Sequence, residues 1–265
     1  MRSLSPSAMF GAIVFGAAVF VAAQGSISAQ SGPTQGMPSP DEIIRRFAAK
    51  EAEFRKAREN YTYKQSVKVE ELDGSGNPSG KWEEVADITF GPNKQREEKV
   101  TYAPMNTLHN ILLTPLDLQD LRSVQPFVLT TDEIGKYDIH YVGKQKLDDI
   151  DCYQFSVKPK TLVKGQRYFE GDIWVDDRDL QIVKTYGKGV GIQSKNDAFP
   201  MFETYREQID GKYWFPTYTR ANDTLHFKDS SQRIRMVVKY ENYKRFGADT
   251  SVTFGDEVTD PKDKK

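Results

Sequence analysis

The side chains that most often perform chemistry in proteins are few and scattered in this sequence. Its three histidines, His109, His140 and His226, lie far apart, and none has the two-histidine spacing of a zinc site. Its one cysteine, Cys152, lies in strand-like sequence. Since no motif supplies it with a histidine partner, we interpret it as a small buried residue and not as a nucleophile. A single cysteine also excludes an internal disulfide.

Two groups of aspartates suggest calcium as a possible ligand. They are Asp148, Asp149 and Asp151, and Asp176, Asp177 and Asp179. Each group falls at a predicted junction between strands, where aspartate is common because its side chain bonds to turn backbone. Neither group carries the glycine and glutamate positions of an EF-hand loop. We therefore favour turns over a metal site.

The glycine-rich run of residues 187–191 (GKGVG) superficially resembles a phosphate-binding loop. It follows a predicted strand and leads into polar sequence, whereas a nucleotide-binding loop opens a helix. We interpret it as a mobile loop. No GxSxG motif marks a serine nucleophile, and nothing singles out a carboxylate pair for glycoside chemistry. The sequence thus predicts no catalytic residue, no metal and no cofactor, and the protein is not expected to be an enzyme.

The N-terminus has the three-part layout of a secretory signal peptide. Arg2 supplies positive charge, Met9–Ala23 is an uncharged apolar run, and small residues follow it as far as Ala29. The apolar run is shorter than the roughly 20 residues that a membrane-spanning helix needs. A cleaved leader is therefore favoured over an uncleaved anchor. Cleavage after Ala23 or Ala29 fits, and we favour Ala29, which makes residues 1–29 the signal peptide.

Export predicts that the mature protein works outside the cytoplasm. No cysteine lies near either cleavage site, so a lipid-modified N-terminus is not expected and the product should be soluble. Residues 30–38 are rich in Gly, Pro, Ser and Gln and predict a flexible linker. Residues 248–265 are a polar C-terminal tail that should fray.

Size and charge narrow the class of protein further. Removing the leader leaves roughly 235 residues, enough for one large β domain or two small ones. The chain has 37 basic and 38 acidic residues, a net charge of −1. A nucleic-acid-binding protein would show a basic excess, so no nucleic-acid partner is expected.

A helix is predicted from the start of the domain to about Glu59. Ser39 can cap it, Pro40 suits its first position, and Glu42 stands three residues after the cap. Its apolar stripe comprises Ile43, Ile44, Phe47 and Phe54, and the charged residues Arg45, Arg46, Lys50 and Glu51 are placed elsewhere around it. One or two further short helices are predicted within residues 106–127, with Thr114 as a cap followed by Pro115.

From Tyr61 onward the hydrophobic period is two, which is typical of strands. The candidate strands are 61–69, 82–90, 96–102, 137–146, 152–159, 168–176, 181–187, 201–209, 213–222 and 233–246. Asp210-Gly211 between two of them is a strong hairpin signal. Strands do not alternate with helices, so a parallel sheet is not expected. The fold class is mainly β, or α+β: one large curved antiparallel sheet forming an unclosed barrel, covered by the N-terminal helix and a short central helical insertion.

Most of these strands have one apolar and one polar face. In one of them, for example, Phe169, Ile173 and Val175 oppose Asp172 and Trp174. The apolar faces together form a concave surface that the helices can cover. The helices and sheet could then enclose either a solid core or a cavity for an apolar ligand. Periodicity alone does not separate these, and a closed core is the default.

Residues 141–186 carry a pattern that resembles the outer-membrane lipoprotein-sorting protein family, the LolA/LolB-like group. The matching residues are Val142, Gly143, Tyr153, Val157, Pro159, Lys160, Gly171, Ile173, Trp174, Val175, Asp176, Asp179, Ile182 and Val183, with Phe215 and Pro216 later in the chain. The leader and the N-terminal helix also fit this group. The close match covers about a fifth of the chain, and the order of elements covers most of it.

This resemblance implies that residues 39–247 form a LolA-like domain, an unclosed barrel with a helical lid. The implied function is that of a periplasmic, non-enzymatic binding protein that holds a lipid or acyl chain, as in lipoprotein transport to the outer membrane. Lipid or lipoprotein acyl chains are the expected partners, with periplasmic or outer-membrane proteins as a further class. Expected ligand-lining residues are Phe47, Phe54, Phe155, Ile173 and Val175.

Two alternatives remain open at the level of sequence. The first is a sensory or structural periplasmic interaction domain on the same fold, without a bound lipid. The second is a secreted enzyme, which ranks last because no nucleophile, metal site or acid–base pair is recognisable.

Overall fold

The computed structural model describes residues 38–122, 129–191 and 199–246. The predicted signal peptide, most of the linker and the C-terminal tail lie outside these residues. The α-helices are α1 (Pro40–Arg58) and α2 (Pro115–Arg122), and a short 3-10 helix spans Ile134–Lys136. The strands are β1 (Tyr61–Leu72), β2 (Pro78–Phe90), β3 (Arg96–Tyr102), β4 (Tyr137–Leu147), β5 (Ile150–Pro159), β6 (Arg167–Asp176), β7 (Ile182–Gly191), β8 (Phe202–Ile209), β9 (Tyr213–His226) and β10 (Ser231–Arg245). No helix in the described part of the chain is both long and apolar enough to cross a membrane.

All ten described strands belong to one antiparallel sheet, in the order β3-β2-β1-β10-β9-β8-β7-β6-β5-β4. Neighbours in the sheet are also neighbours in sequence except for β1 and β10, which pair along their whole length. The edge strands β3 and β4 do not pair with each other, so the sheet is not closed. The predicted fold class, one open antiparallel sheet with an N-terminal helix, is confirmed.

The strand registers bring the predicted apolar faces onto one side of the sheet. Val67 of β1 lies opposite Val238 of β10, and Phe155 of β5 lies opposite Ile173 of β6. This is the concave face, and the main core lies on it. The predicted hairpin at Asp210 and Gly211 is confirmed, although its connection has three residues, 210–212, between the paired Ile209 and Tyr213. Asp210 and Gly211 have left-handed φ values of 53° and 65°, which are common in hairpin turns.

Three local predictions need correction. The glycine-rich run 187–191 is not a loop, because it forms the second half of β7. The strand predicted for 82–90 is longer, since β2 already begins at Pro78. Leu112 and Leu113 belong to the stretch 106–127 in which short helices were predicted, but they lie outside α2, which begins at Pro115 as its cap predicted. The Thr114 hydroxyl accepts the Asp117 backbone N–H at 3.2 Å.

The glycines of β6 and β7 explain why this glycine-rich run can be a strand. A methyl group added at Gly171 would clash with the carbonyl oxygen of Tyr186, and one at Gly187 would clash with the ring of Phe169. At this position the backbones of β6 and β7 approach each other closely, and the Phe169 ring covers them. Only glycine leaves room for this arrangement.

The convex face also carries a small core that the simple alternation missed. Trp174 was predicted on the polar face, yet it is 7% exposed and clusters with Cys152 and Val183. Its indole N–H donates to the Gln145 side chain at 2.7 Å, which satisfies its polar atom. The pairing of β6 with β7 shifts register between Trp174 and Val175, next to this small core.

Candidate functional site

Helix α1 lies on the concave face and covers it. The helix begins at Pro40 because the Ser39 hydroxyl accepts the Glu42 N–H at 3.2 Å, the capping interaction that the sequence predicted. Phe47 contacts Phe155 of β5, with ring centroids 5.7 Å apart. One helix thus shields much of the concave face from water, with Ile43, Phe47, Ala48, Glu51 and Phe54 as its buried residues.

The five predicted ligand-lining residues are all buried, each at most 1% exposed. Four of them belong to the main core cluster, namely Phe47, Phe155, Ile173 and Val175. Phe54 belongs to a second cluster with Tyr61 and Phe215. In this conformation the side chains of α1 contact the concave face. Whether these residues line a ligand stays a prediction.

Glu51 of α1 and Arg206 of β8 form a buried ion pair beneath the helix. The two Arg206 Nη atoms donate to the two carboxylate oxygens at 2.8 and 3.2 Å, and each side chain is 1% exposed. The Arg206 guanidinium also lies 5.3 Å from the centre of the Phe54 ring. Burial raises the pKa of Glu51, and the charge and hydrogen bonds of Arg206 oppose that shift. The pair fixes α1 to the sheet.

The prediction that Glu51 lies away from the apolar stripe was wrong. Ile43, Phe47 and Glu51 follow one another at intervals of four and therefore share a helix face. Arg206 likewise shares the alternation of Phe202 and Thr204, both buried. A charged residue in the apolar register on both elements was the signal that could have identified the pair.

A belt of polar side chains crosses the middle of the concave face. The Thr204 and Thr219 hydroxyls are 2.8 Å apart and fully buried. Thr185 on the neighbouring strand is also buried, and its hydroxyl has no hydrogen-bond partner among the described residues. Burial raises the pKa of Tyr240, while a hydrogen bond with Thr219 lowers it. The belt continues toward the β3 edge.

Charged groups lie at that edge of the concave face. Arg96 of β3 donates to the Gln65 side chain at 2.5 Å and forms an ion pair with Glu98. The side chains of Arg96 and Glu98 are 19% and 21% exposed, so this pair lies where the face meets solvent. The concave face is therefore largely apolar as far as Ile88 and Phe90 of β2, and the pair of Arg96 and Glu98 places charge at its β3 edge.

The remaining residues considered for chemistry have structural surroundings. Cys152 is fully buried, as predicted, and burial raises the pKa of its thiol to about 12, which keeps it protonated. Asp176 accepts the backbone N–H of Arg178 at 3.0 Å, and Asp179 accepts that of Gln181 at 3.0 Å. These are turn interactions, in agreement with the interpretation made from the sequence. In the described ranges no group of three or more His, Cys, Asp or Glu side chains converges to hold a metal ion.

No protein-family model matches this chain, and neither does any curated protein sequence. Among solved structures it is similar to a DUF1329 family protein from Desulfovibrio piger, with 16% identity over 81% of this chain and 96% of that chain and a TM-score of 0.39. It is also similar to a LolA superfamily protein from Nitrosomonas europaea, with 11% identity, 79% and 94% coverage and a TM-score of 0.35.

A third solved structure is a putative outer membrane lipoprotein-sorting protein domain from Vibrio parahaemolyticus, with 12% identity over 74% of this chain and 91% of that chain and a TM-score of 0.34. The fold assignment itself rests on the ten-stranded open sheet and the helix on its concave face.

Proposed function

We propose that this protein is an exported, non-enzymatic binding protein that holds a lipid or acyl chain against the concave face of its sheet. The observation that carries the proposal is the open sheet, whose apolar concave face is covered by the helix α1. An acyl chain could replace the contacts of Phe47 with this face. Each methylene buried there would contribute about 0.8 kcal/mol.

Charge at one edge of the concave face gives an amphiphile a direction. The apolar core around Phe155 and Ile173 suits a hydrocarbon tail. The charged β3 edge, with Arg96 and Glu98 partly exposed, suits a head group that keeps contact with water. A bound lipid would therefore lie across the sheet with its head group toward β3.

The predicted leader places this function outside the cytoplasm. Cleavage after Ala29 would release a chain that begins at Gln30. N-terminal sequencing and the intact mass of the exported protein test this assignment. A product that retains Met9–Ala23 would contradict it.

The binding proposal is tested by titrating the protein with a fluorescent fatty acid and by native mass spectrometry of the protein purified without detergent. We expect saturable binding of about one ligand and a lipid adduct. Val175→Ala should weaken binding several-fold, because Val175 lies in the concave core. Val183→Ala makes the same chemical change in the convex cluster and serves as the matched control.

Absence of both a lipid adduct and fatty-acid binding would overturn the proposal, and an interaction domain without lipid would then take its place. Equal effects of Val175→Ala and Val183→Ala on affinity would show that binding depends on overall stability and not on the concave face.

A further inference from the structure

The stretch Val100–Leu116, which runs from the last three residues of the edge strand β3 to the first two residues of α2, contains no Asp, Glu, Lys or Arg. Charged residues make up 28% of the chain, so an uncharged run of this length is unusual in a segment that lies mostly at the surface. Lys99 immediately precedes it and Asp117 immediately follows it. We refer to Val100–Leu116 as the docking segment.

The docking segment exposes large apolar side chains to water. Met105 and Leu112 are the most exposed, at 84% and 86%. Val100, Tyr102 and Leu116 are exposed as well. In the described part of the chain only four other large hydrophobic residues are exposed, namely Val142, Leu162, Val163 and Tyr186. Such a concentration of apolar surface is typical of an interaction site.

The backbone of the docking segment is held in place from below by Glu71. This side chain is fully buried. Its two carboxylate oxygens accept backbone N–H groups from three consecutive residues at 3.0, 2.7 and 2.7 Å, namely His109, Asn110 and Ile111. The Asn110 side chain also donates to Gln232 at 2.9 Å. A buried carboxylate committed to this loop fixes which side chains the loop presents to solvent.

The docking segment also connects the surface to the concave face. Leu112 points to solvent, whereas the adjacent Leu113 packs against the main core cluster. At its far end α2 is tied to β6 by the ion pair of Asp120 and Arg167, 2.6 Å apart. After leaving β3, the segment therefore contacts β2 at Lys81, then β1 at Glu71 and β10 at Gln232.

We propose that the docking segment inserts into the surface of a lipid bilayer, from which an acyl chain passes to the concave face. This rests on the proposed lipid-binding function. An uncharged segment fits the uncharged acyl region of a bilayer, because no ionised group of the segment has to leave water. Exposed Tyr102 suits the interface, where an aromatic ring and a hydroxyl find apolar and wet surroundings. A protein partner with a charged surface is a poorer fit, because the segment offers that surface no opposite charge.

The test is co-flotation of the purified protein with phosphatidylcholine vesicles in a density gradient. We expect binding that is unchanged between low and high salt, since the contact is apolar and not electrostatic. Met105→Ser with Leu112→Ser should weaken partition about tenfold or more, because two large exposed side chains lose their apolar surface. Leu162→Ser with Val163→Ser alters two residues that are exposed elsewhere on the surface and is the matched control.

Failure of the unaltered protein to float, or unchanged flotation of the Met105→Ser/Leu112→Ser variant, would overturn docking. Loss of flotation in high salt or in the control would do the same. The fluorescent fatty-acid titration on the same variants separates the two proposals. Retained fatty-acid binding without flotation overturns docking alone, whereas flotation without fatty-acid binding overturns the proposed function. Equal thermal unfolding of the variants excludes misfolding as the cause.

Discussion

Glu51 on α1 and Arg206 on β8 are 155 residues apart in sequence and share two hydrogen bonds, with each side chain 1% exposed. They join the covering helix to the concave face at a site from which water is excluded. Any movement of α1 that admits a ligand beside Phe54 must either keep this pair or separate two buried charges. Its strength therefore sets how firmly the face is covered.

Breaking the pair on one side should destabilise the protein strongly. Glu51→Gln leaves the Arg206 charge buried without its counter-charge, and we expect the free energy of unfolding to fall by about 3–5 kcal/mol. Glu51→Met with Arg206→Met should recover most of this loss, because no charge then stays buried. Urea unfolding measures the free energy of unfolding of both variants. Hydrogen exchange of the α1 backbone amides should accelerate more in Glu51→Gln than in the double variant.

The exposed ion pair of Lys50 and Glu53, 3.0 Å apart on the same helix, provides a control for this experiment. Glu53→Gln should change the free energy of unfolding by no more than about 0.5 kcal/mol, as solvent screens the pair. Similar losses in Glu51→Gln and Glu53→Gln would contradict the role given to the buried pair.

Acid should weaken the protein partly through Glu203 on the convex face. Burial raises the pKa of this carboxyl, but hydrogen bonds from Tyr205, Arg220 and Lys184 outweigh burial and hold the pKa below its usual value. A pKa that is lower in the folded than in the unfolded state contributes stability above the unfolded value of 4.5, and this stability is lost as the pH falls through the folded value. Glu203→Gln should therefore flatten the dependence of unfolding free energy on pH below about 5. An unchanged slope would contradict this assignment.

The anchoring role of Glu71 can be tested without lipid. Glu71→Ala removes the acceptor for three backbone N–H groups, and each unsatisfied buried donor costs about 1–3 kcal/mol unless water reaches it. We expect faster cleavage by chymotrypsin within Val100–Leu116, as well as lower stability. Glu71→Gln keeps one acceptor oxygen and should give an intermediate rate. If the unaltered protein, Glu71→Ala and Glu71→Gln are all cleaved at the same rate, the docking segment is held by other contacts.

The close approach of β6 and β7 should not tolerate a larger residue at Gly171. Gly171→Ala places a methyl group against the backbone of β7, and we expect a loss of stability of about 1–3 kcal/mol, as for other overpacked sites. Gly74→Ala in the turn between β1 and β2 is the control, since a methyl group there meets no atom within 4 Å. Thermal unfolding of the two variants should differ clearly, and equal melting temperatures would count against the tight contact.

Much of the fold was predictable because local patterns and tertiary structure agree. The alternation in β1 and the hairpin at Asp210-Gly211 depend only on side-chain period and turn chemistry, and both are confirmed. The glycine-rich run 187–191 was misassigned because local composition favours a loop. Its pairing with β6, which needs small residues on both strands, becomes visible only when the two strands are adjacent.

The candidate site was less predictable than the fold. Periodicity placed Phe47, Phe155, Ile173 and Val175 on the concave side, and the structure brings these four into one core. Periodicity could not pair Glu51 with Arg206, since local sequence carries no information about a partner on a distant strand. The same holds for Glu71, whose three donors come from a loop that follows two further strands.

The sequence by itself determined the elements of this protein: a capped helix at Pro40, strands of period two, and an uncharged stretch that begins at Val100. Those features depend on neighbouring residues and on the apolar or polar character of each face. The tertiary structure alone decided that one ion pair fixes α1 on the concave face of the sheet, and that Met105 and Leu112 face water. Each of these depends on where distant strands meet, and the free energy of a buried charge or an exposed leucine is defined only by what surrounds it.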